Sequence, residues 1–82
     1  MMKAHVYVTL KTSVLDAQGQ TIHNALRKLN YTDVASVRQG KYFLLTLADG
    51  LSAAQAREEA ERIAQEVLTN PIIEEYTCRI EE

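Results

Sequence analysis

Apolar and polar residues alternate at the N-terminal end of the chain, which predicts a β-strand. From Lys3 to Lys11, apolar side chains occupy every second position and mostly polar side chains occupy the others, the pattern of a half-buried strand. A helical pattern follows from about Ala17 to Leu29, where apolar residues recur at i, i+3, i+4 and i+7 from Ile22. Asp16 is placed to cap this helix at its N terminus, and Asn30 suits the left-handed conformation after its C terminus.

Two apolar-rich segments in the middle of the chain predict an antiparallel hairpin. Val34 to Arg38 and Lys41 to Leu47 are rich in apolar, β-branched or aromatic residues, which favour strands. Between them, Gln39-Gly40 supplies the glycine that a tight hairpin turn needs. We therefore expect two neighbouring strands here.

A second helix and a last strand complete the predicted order. Ser52 and Gln55 form a capping box, and the helix that follows has apolar residues at helical spacing as far as Leu68. Asn70-Pro71 ends this helix, because proline disfavours helical geometry in the residue before it. Ile73 to Ile80 is the last strand, so the predicted element order is β-α-β-β-α-β.

This order predicts an α+β fold, in which one antiparallel sheet carries both helices on one face in a ferredoxin-like, two-layer sandwich. Residues 1–82 form a single domain, since the chain has no internal repeat or linker. The helix-free face of the sheet is expected to carry Tyr7, Tyr42 and Leu44. A homo-oligomer that joins two sheets would bury this patch, although tyrosines also tolerate exposure because they are amphipathic.

Composition strengthens the expectation of a partner. A chain of 82 residues buries only about 63% of its unfolded surface, and a single cysteine allows no internal disulfide. The net charge of −2 gives no positive patch for a nucleic acid. No apolar stretch is long enough for a membrane span, and the lone Cys78 fits a reducing compartment, so a cytoplasmic protein is expected.

The sequence predicts no catalytic, cofactor-binding or metal-binding residues. His5 and His23 have no Cys, Asp or Glu at metal-ligand spacing, and surface histidines are the simpler interpretation. Cys78 has no sign of the base and orienting group that a nucleophile needs. The pairs Glu74-Glu75 and Glu81-Glu82 are adjacent on a strand, so their side chains point to opposite faces and cannot act together.

Four segments, taken together and in this order, carry a family resemblance. They are Val6-Tyr7-Val8-Thr9-Leu10-Lys11, Val14-Leu15-Asp16-Ala17-Gln18-Gly19, Val37-Arg38-Gln39-Gly40-Lys41-Tyr42 and Leu68-Thr69-Asn70-Pro71-Ile72-Ile73-Glu74-Glu75-Tyr76. These segments resemble the PurS subunit family of phosphoribosylformylglycinamidine (FGAM) synthase, and the resemblance spans essentially the whole chain.

The resemblance implies a non-catalytic subunit of a glutamine-dependent C–N ligase in de novo purine biosynthesis. That complex converts formylglycinamide ribonucleotide (FGAR), glutamine and ATP to FGAM. The subunit is expected to bridge a PurQ-type glutaminase and a PurL-type synthetase, to support assembly and ammonia transfer, and to form a homodimer or a dimer of dimers. The complex uses ATP and Mg²⁺, and neither is expected to bind this chain.

The same resemblance selects candidate partner-interface residues, of which Arg38 and Lys41 are the preferred contacts. The full set is Asp16, Gln18, Gly19, Arg38, Lys41, Tyr42, Asn70, Glu74 and Tyr76. A second interpretation also fits a small oligomeric β-α-β-β-α-β domain, namely an ACT-like regulatory module that binds a ligand between subunits.

Overall fold

The computed structural model describes residues 1–82 and contains three strands and two α-helices, the second continued by one turn of π-helix. The elements in chain order are β1 (Lys3–Leu10), α1 (Ala17–Lys28), β2 (Gly40–Thr46), α2 (Ala53–Ile63), the π-helix (Ala64–Leu68) and β3 (Glu74–Glu81). No helix is both long enough and apolar enough to cross a membrane.

The strands form one antiparallel sheet in the order β2-β1-β3. The N-terminal strand is therefore central, and it pairs with β2 from Lys3↔Thr46 to Thr9↔Gly40 and with β3 over its whole length. The α+β class is confirmed, and the last strand pairs within its own chain. The sheet differs from the expected one in having three strands.

The core lies between one face of the sheet and the second helix. Ala4, Val6 and Val8 of β1 are fully buried, as are Ala56 and Ala60 of α2. Alanine at the contact positions removes the bulk that would hold the helix away, so the helix backbone lies close to the sheet. The predicted capping box at Ser52 is present, since its hydroxyl accepts from the backbone N–H of Gln55 and the Gln55 side chain accepts in return.

The predicted strand Val34–Arg38 does not form. The end of the segment and the residue after it bond to other parts of the chain. The Arg38 guanidinium donates to the Leu10 carbonyl, and the backbone N–H of Gln39 donates to the Asp16 carboxylate at 2.7 Å. These contacts fix the segment to the residues after β1, so its backbone groups are not presented to a neighbouring strand. Residues 31–39 instead run back along α1 without regular structure.

Helix α1 does not pack on the sheet, which corrects the expectation of two helices on one face. Residues 11–39, here called the arm, extend beyond one end of the sheet. The chain measures 51 × 26 × 14 Å with a radius of gyration of 16.1 Å, against about 12 Å for a compact chain of this length. Within α1 only Gly19 is buried, so the apolar stripe of the helix has no cover in its own chain.

The boundary residues of α1 behave as predicted. Asp16 caps the N terminus and accepts from the backbone N–H of Gly19, and Asn30 after the C terminus has φ 72°. Arg27 and Lys28 lie in the last turn, where positive charge is favourable beside the negative end of the helix dipole. The local signals for this helix are thus correct, and the difference lies in where the helix is placed.

Candidate functional site

All four signature segments meet at the end of the sheet where the arm begins. Gln18 of α1, Lys41 of β2 and Glu74 of β3 line a cavity of about 310 Å³ there, which we call the sheet-end site. Gln18 and Lys41 are exposed, whereas Glu74 is half-buried. Segments far apart in sequence thus present polar groups together on one surface.

The Glu74 carboxylate is the centre of a small charged network at this site. One of its oxygens accepts from the backbone N–H of Asn70 at 2.7 Å, and the other lies 3.2 Å from Lys41 Nζ. The Asn70 N–H, with a smaller contribution from Lys41, holds the pKa of Glu74 below its ordinary value. Asn70 Oδ1 in turn accepts from the backbone N–H of Ile72. Asn70 and Glu74 therefore shape the turn before β3 and hold Lys41 in place.

Asp16 joins the first and last parts of the arm. Its carboxylate accepts from the backbone N–H of Gln39 at 2.7 Å and from that of Gly19 at 2.9 Å. The Gln39 hydrogen bond, and next the Gly19 hydrogen bond, lower the pKa of Asp16. Because each carboxylate oxygen already accepts a hydrogen bond from the backbone, Asp16 stabilises the arm internally. The role of Gln39 was not predicted, since a backbone donor leaves no signal in the identity of its side chain.

Gly19 is required by a close approach between the two halves of the arm. A Cβ atom built at this position would lie 2.4 Å from the carbonyl oxygen of Val37 and 2.7 Å from Asp16 Oδ2. Neither distance is compatible with a real Cβ. The absence of a side chain here lets the Val37 backbone lie against the first turn of α1.

Arg38 also makes internal contacts. Its guanidinium donates to the carbonyls of Leu10 at 2.7 Å and Lys11 at 3.1 Å. These acceptors lie at the end of β1, where the arm begins. Arg38 therefore holds the last residues of the arm against its first residues. Of the two cations preferred as partner contacts, Arg38 has this structural role and Lys41 projects at the sheet-end site.

The helix-free face of the sheet carries the predicted aromatic patch. Tyr7 and Tyr42 are direct cross-strand partners with ring centroids 5.2 Å apart, and together with Leu44 they are 42–52% exposed. We call these three residues the sheet-face patch. Its position on this face follows from the alternation of side chains along β1 and β2.

A hydrogen-bonded histidine lies beside the sheet-face patch. His5 Nδ1 is 2.6 Å from the Tyr42 hydroxyl, and His5 Nε2 is 2.9 Å from a carboxylate oxygen of Glu81. The hydrogen bond with His5 lowers the pKa of Glu81. Sequence reasoning missed this trio, because the three residues come together only through the register of all three strands.

The remaining predicted positions are packed against the core. Tyr76 and Cys78 lie on the helix-covered face of β3 and contact the buried valines of β1, and burial raises the pKa of the Cys78 thiol. No three His, Cys, Asp or Glu side chains converge in a way that could hold a metal ion.

Comparison with known proteins identifies the family of the chain. The profile of the PurS family, described as phosphoribosylformylglycinamidine (FGAM) synthase, matches residues 3–82. The chain is 39% identical to the PurS subunit of Bacillus subtilis over 82 residues, which is 100% of this chain and 95% of that subunit. It is 40% identical to the PurS subunit of Mycobacterium leprae over 94% of this chain and 92% of that subunit.

Solved structures show the same fold. The crystal structure of PurS from Methanocaldococcus jannaschii superposes with a TM-score of 0.88 at 32% identity, covering 100% of this chain and 98% of that one. A chain in the structure of PurLQS from Thermotoga maritima superposes with a TM-score of 0.85 at 28% identity, covering 99% of both chains. The chain therefore belongs to the PurS family of phosphoribosylformylglycinamidine synthase.

Proposed function

We propose that this chain is the non-catalytic bridging subunit of its FGAM synthase, which joins a PurQ-type glutaminase to a PurL-type synthetase. The observation that supports this most directly is the convergence of Gln18, Lys41 and Glu74, from three separate segments, at one exposed end of the sheet. A chain that resembles this one at TM-score 0.85 occurs in a PurLQS structure.

The proposal assigns the chemistry to the partner subunits. Glutamine hydrolysis belongs to the glutaminase, and activation of the FGAR amide by ATP and Mg²⁺ belongs to the synthetase. This chain supplies a surface that keeps the two together, and assembly of this kind supports ammonia transfer between them. The proposal includes a cytoplasmic location, supported by the single free thiol of Cys78, a cysteine usage typical of reducing compartments.

Lys41 is the group that we propose makes the main contact with a partner. Its side chain is 54% exposed at the sheet-end site, although Nζ also contacts Glu74. Lys41 is the exposed partner of this ion pair, and the Glu74 carboxylate keeps its hydrogen bond from the Asn70 N–H when Lys41 is replaced. Neutralising Lys41 is therefore compatible with an intact fold. A partner carboxylate that displaces Glu74 would find a cation already held in position.

The test is reconstitution with the cognate glutaminase and synthetase, Mg-ADP and glutamine, followed by an assay of glutamine-dependent FGAM formation. We expect Lys41→Gln to weaken complex assembly at least tenfold while the circular dichroism spectrum is unchanged. Lys28→Gln removes the same charge from the far end of α1 and serves as the matched control. If assembly and glutamine-dependent activity are the same without this chain, the bridging role is refuted. If assembly requires this chain but Lys41→Gln assembles as well as the wild type, the contact surface lies elsewhere.

We also propose that the chain forms a homo-oligomer in which the sheet-face patches of two copies meet. Tyr7, Tyr42 and Leu44 form an apolar patch on an open sheet face, and a two-fold axis through it would make the contact self-complementary. Leu44→Glu is expected to lower the oligomeric state in sedimentation velocity. Gln65→Glu, which adds the same charge on the exposed side of the π-helix, is expected to leave it unchanged. A wild-type monomer at micromolar concentration would refute this contact.

A further inference from the structure

The arm encloses a cavity of about 620 Å³ between α1 and the irregular segments on either side of this helix. Gln20, His23 and Arg27 line it from α1, and their spacing places them on one face of the helix. Residues 12–16 and 35–38 form the rest of the lining. We call this space the arm cavity. Its volume lies in the range of small-molecule sites, about 300–1,000 Å³, and of its lining residues only Asp16 also lines the sheet-end site.

Two arginines bring positive charge to the arm cavity that no carboxylate pairs with directly. Neither Arg27 nor Arg38 forms an ion pair, and the ion pairs of the chain all lie elsewhere. The hydrogen bonds of Arg38 to the Leu10 and Lys11 carbonyls both come from Nη2. These bonds hold the guanidinium in place without neutralising it, and they leave its Nη1 and Nε donors for a ligand. Arg38 is therefore a cation whose position is fixed before any anion arrives.

Asp16 is the only acidic residue in the lining of the arm cavity. Each of its oxygens already accepts from a backbone N–H. The lining thus has one carboxylate against two guanidinium groups. The arm as a whole has four basic residues and two acidic ones, a net charge of +2, whereas the rest of the chain has five basic and nine acidic residues, a net charge of −4. Positive charge is therefore concentrated around this cavity in an otherwise acidic protein.

Neutral hydrogen-bonding groups complete the polar part of the lining. The hydroxyls of Ser13 and Ser36 line the cavity from the two irregular segments. His23 Nε2 lies 2.9 Å from the Val34 carbonyl, and a carbonyl can only accept, so Nε2 carries a hydrogen and Nδ1 remains free. The cavity thus combines two guanidinium groups with hydroxyls and an imidazole. These donors outnumber what the two oxygens of a carboxylate need, and they suit the three oxygens of a phosphate group.

The remaining lining is apolar and gives the cavity room for more than a phosphate ion. Val14 and Val37 belong to this part, and an apolar wall suits the carbon skeleton of an organic ligand. We propose that the arm cavity binds a small organic phosphate, whose phosphate oxygens accept from Arg27 and Arg38 and whose sugar-sized remainder lies against the two valines. This site is additional to the bridging role, and it would allow the subunit to respond to a phosphorylated metabolite.

Isothermal titration calorimetry of the full chain with ribose 5-phosphate tests the proposal, at a salt concentration of about 0.15 M to screen weak surface charges. Ribose, inorganic phosphate and acetate are titrated in parallel. Amide signals of the ¹⁵N-labelled chain locate the ligand. Arg27→Gln is the test variant, because Arg27 is exposed on α1 and makes no ion pair that the fold depends on. Lys28→Gln removes the same charge from the next residue, which does not line the arm cavity, and is the matched control.

We expect ribose 5-phosphate to bind saturably and to shift the amide signals of Ser13, Ser36 and Arg38. Arg27→Gln should weaken binding roughly tenfold or more, because it removes charge-assisted hydrogen bonds, while Lys28→Gln should change the dissociation constant by less than about twofold. Circular dichroism checks that both variants fold.

The proposal is overturned if ribose 5-phosphate does not bind, or if Arg27→Gln and Lys28→Gln weaken binding equally. Equal binding of ribose would exclude recognition of the phosphate group, and equal binding of acetate would assign the cavity to carboxylates. Inorganic phosphate that binds as tightly as the ester would make the free ion the ligand. Lys41→Gln separates this site from the bridging role, since we expect it to weaken assembly and to leave ribose 5-phosphate binding unchanged. Loss of binding in Lys41→Gln would place the ligand at the sheet-end site and overturn the assignment to the arm cavity.

Discussion

Gly19→Ala adds one methyl group at the point where the two halves of the arm touch. The new Cβ would lie 2.4 Å from the Val37 carbonyl oxygen, and an ordinary contact requires this oxygen to move by about 1 Å. The obstacle is a backbone atom in a segment already tied down through Gln39, so relief by a side-chain rotation is not available.

The expected loss of stability follows from two opposing effects. Overpacking of one methyl group typically costs about 1–3 kcal/mol, while replacing glycine by alanine within a helix gains about 1 kcal/mol. Because the obstacle at 2.4 Å is a backbone atom, the upper end of the overpacking cost applies, and the net loss in the free energy of unfolding is about 2 kcal/mol. For a domain of this size each kcal/mol lowers the melting temperature by about 4–8 °C.

Urea unfolding followed by circular dichroism measures this loss, at one fixed protein concentration because self-association would make stability concentration-dependent. Gln18→Ala, at the neighbouring exposed position of α1, is the control and is expected to change stability by less than about 0.5 kcal/mol. If Gly19→Ala is as stable as the wild type or more stable, the Val37 contact does not constrain the arm and the reasoning is refuted.

Three further predictions concern the caps and titrating groups. Ser52→Ala removes the capping box and is expected to cost about 1 kcal/mol in urea unfolding, whereas Ser36→Ala in the irregular part of the arm should be neutral; equal effects would contradict the capping role. The pKa of Asp16 is lower in the folded chain, so its contribution to stability is fully present above its unfolded pKa of about 4 and is lost as the pH falls through the folded pKa. The urea midpoint of Asp16→Asn should therefore vary less than that of the wild type between pH 5 and 2, and parallel pH profiles would exclude this contribution. Burial raises the pKa of Cys78, so alkylation by iodoacetamide at neutral pH should be at least several-fold slower in the native chain than in urea, and equal rates would show that the thiol is accessible.

Local patterns were sufficient to predict the elements that are defined by short-range interactions. Alternation along β1 and the caps at Asp16 and Ser52 depend on neighbours a few residues away, and the structure has each of them. The prediction of a strand at Val34–Arg38 was wrong. Arg38 and the adjacent Gln39 instead bond to Leu10 and Asp16, which are more than 20 residues away in the sequence. The apolar residues of the segment do not reveal these hydrogen bonds.

The position of α1 could not be predicted for a different reason. An apolar stripe shows that a helix face is buried against something, but it does not show whether that surface belongs to the same chain. Ile22 and Leu29 therefore fit a helix packed on its own sheet as well as they fit a helix that lies beyond it.

The sequence also indicated the candidate site only in part. Gln18, Lys41 and Glu74 were selected by resemblance, and only the fold of the whole chain brings them to one end of the sheet. Several other selected residues, including Asp16 and Arg38, shape the arm by internal hydrogen bonds. A recurring residue can thus preserve the geometry of a contact surface without lying in the contact.

The central position of β1 has a consequence for how the chain folds. This strand must pair with β3, and the pair Lys3↔Glu81 joins residues that are far apart in the sequence. Contacts between such distant positions require most of the chain to be ordered before they add stability, and they slow folding relative to a chain with local contacts. During synthesis, β1 therefore stays without one of its two neighbours until every other element of the fold has been made, so the native sheet is completed only when β3 emerges.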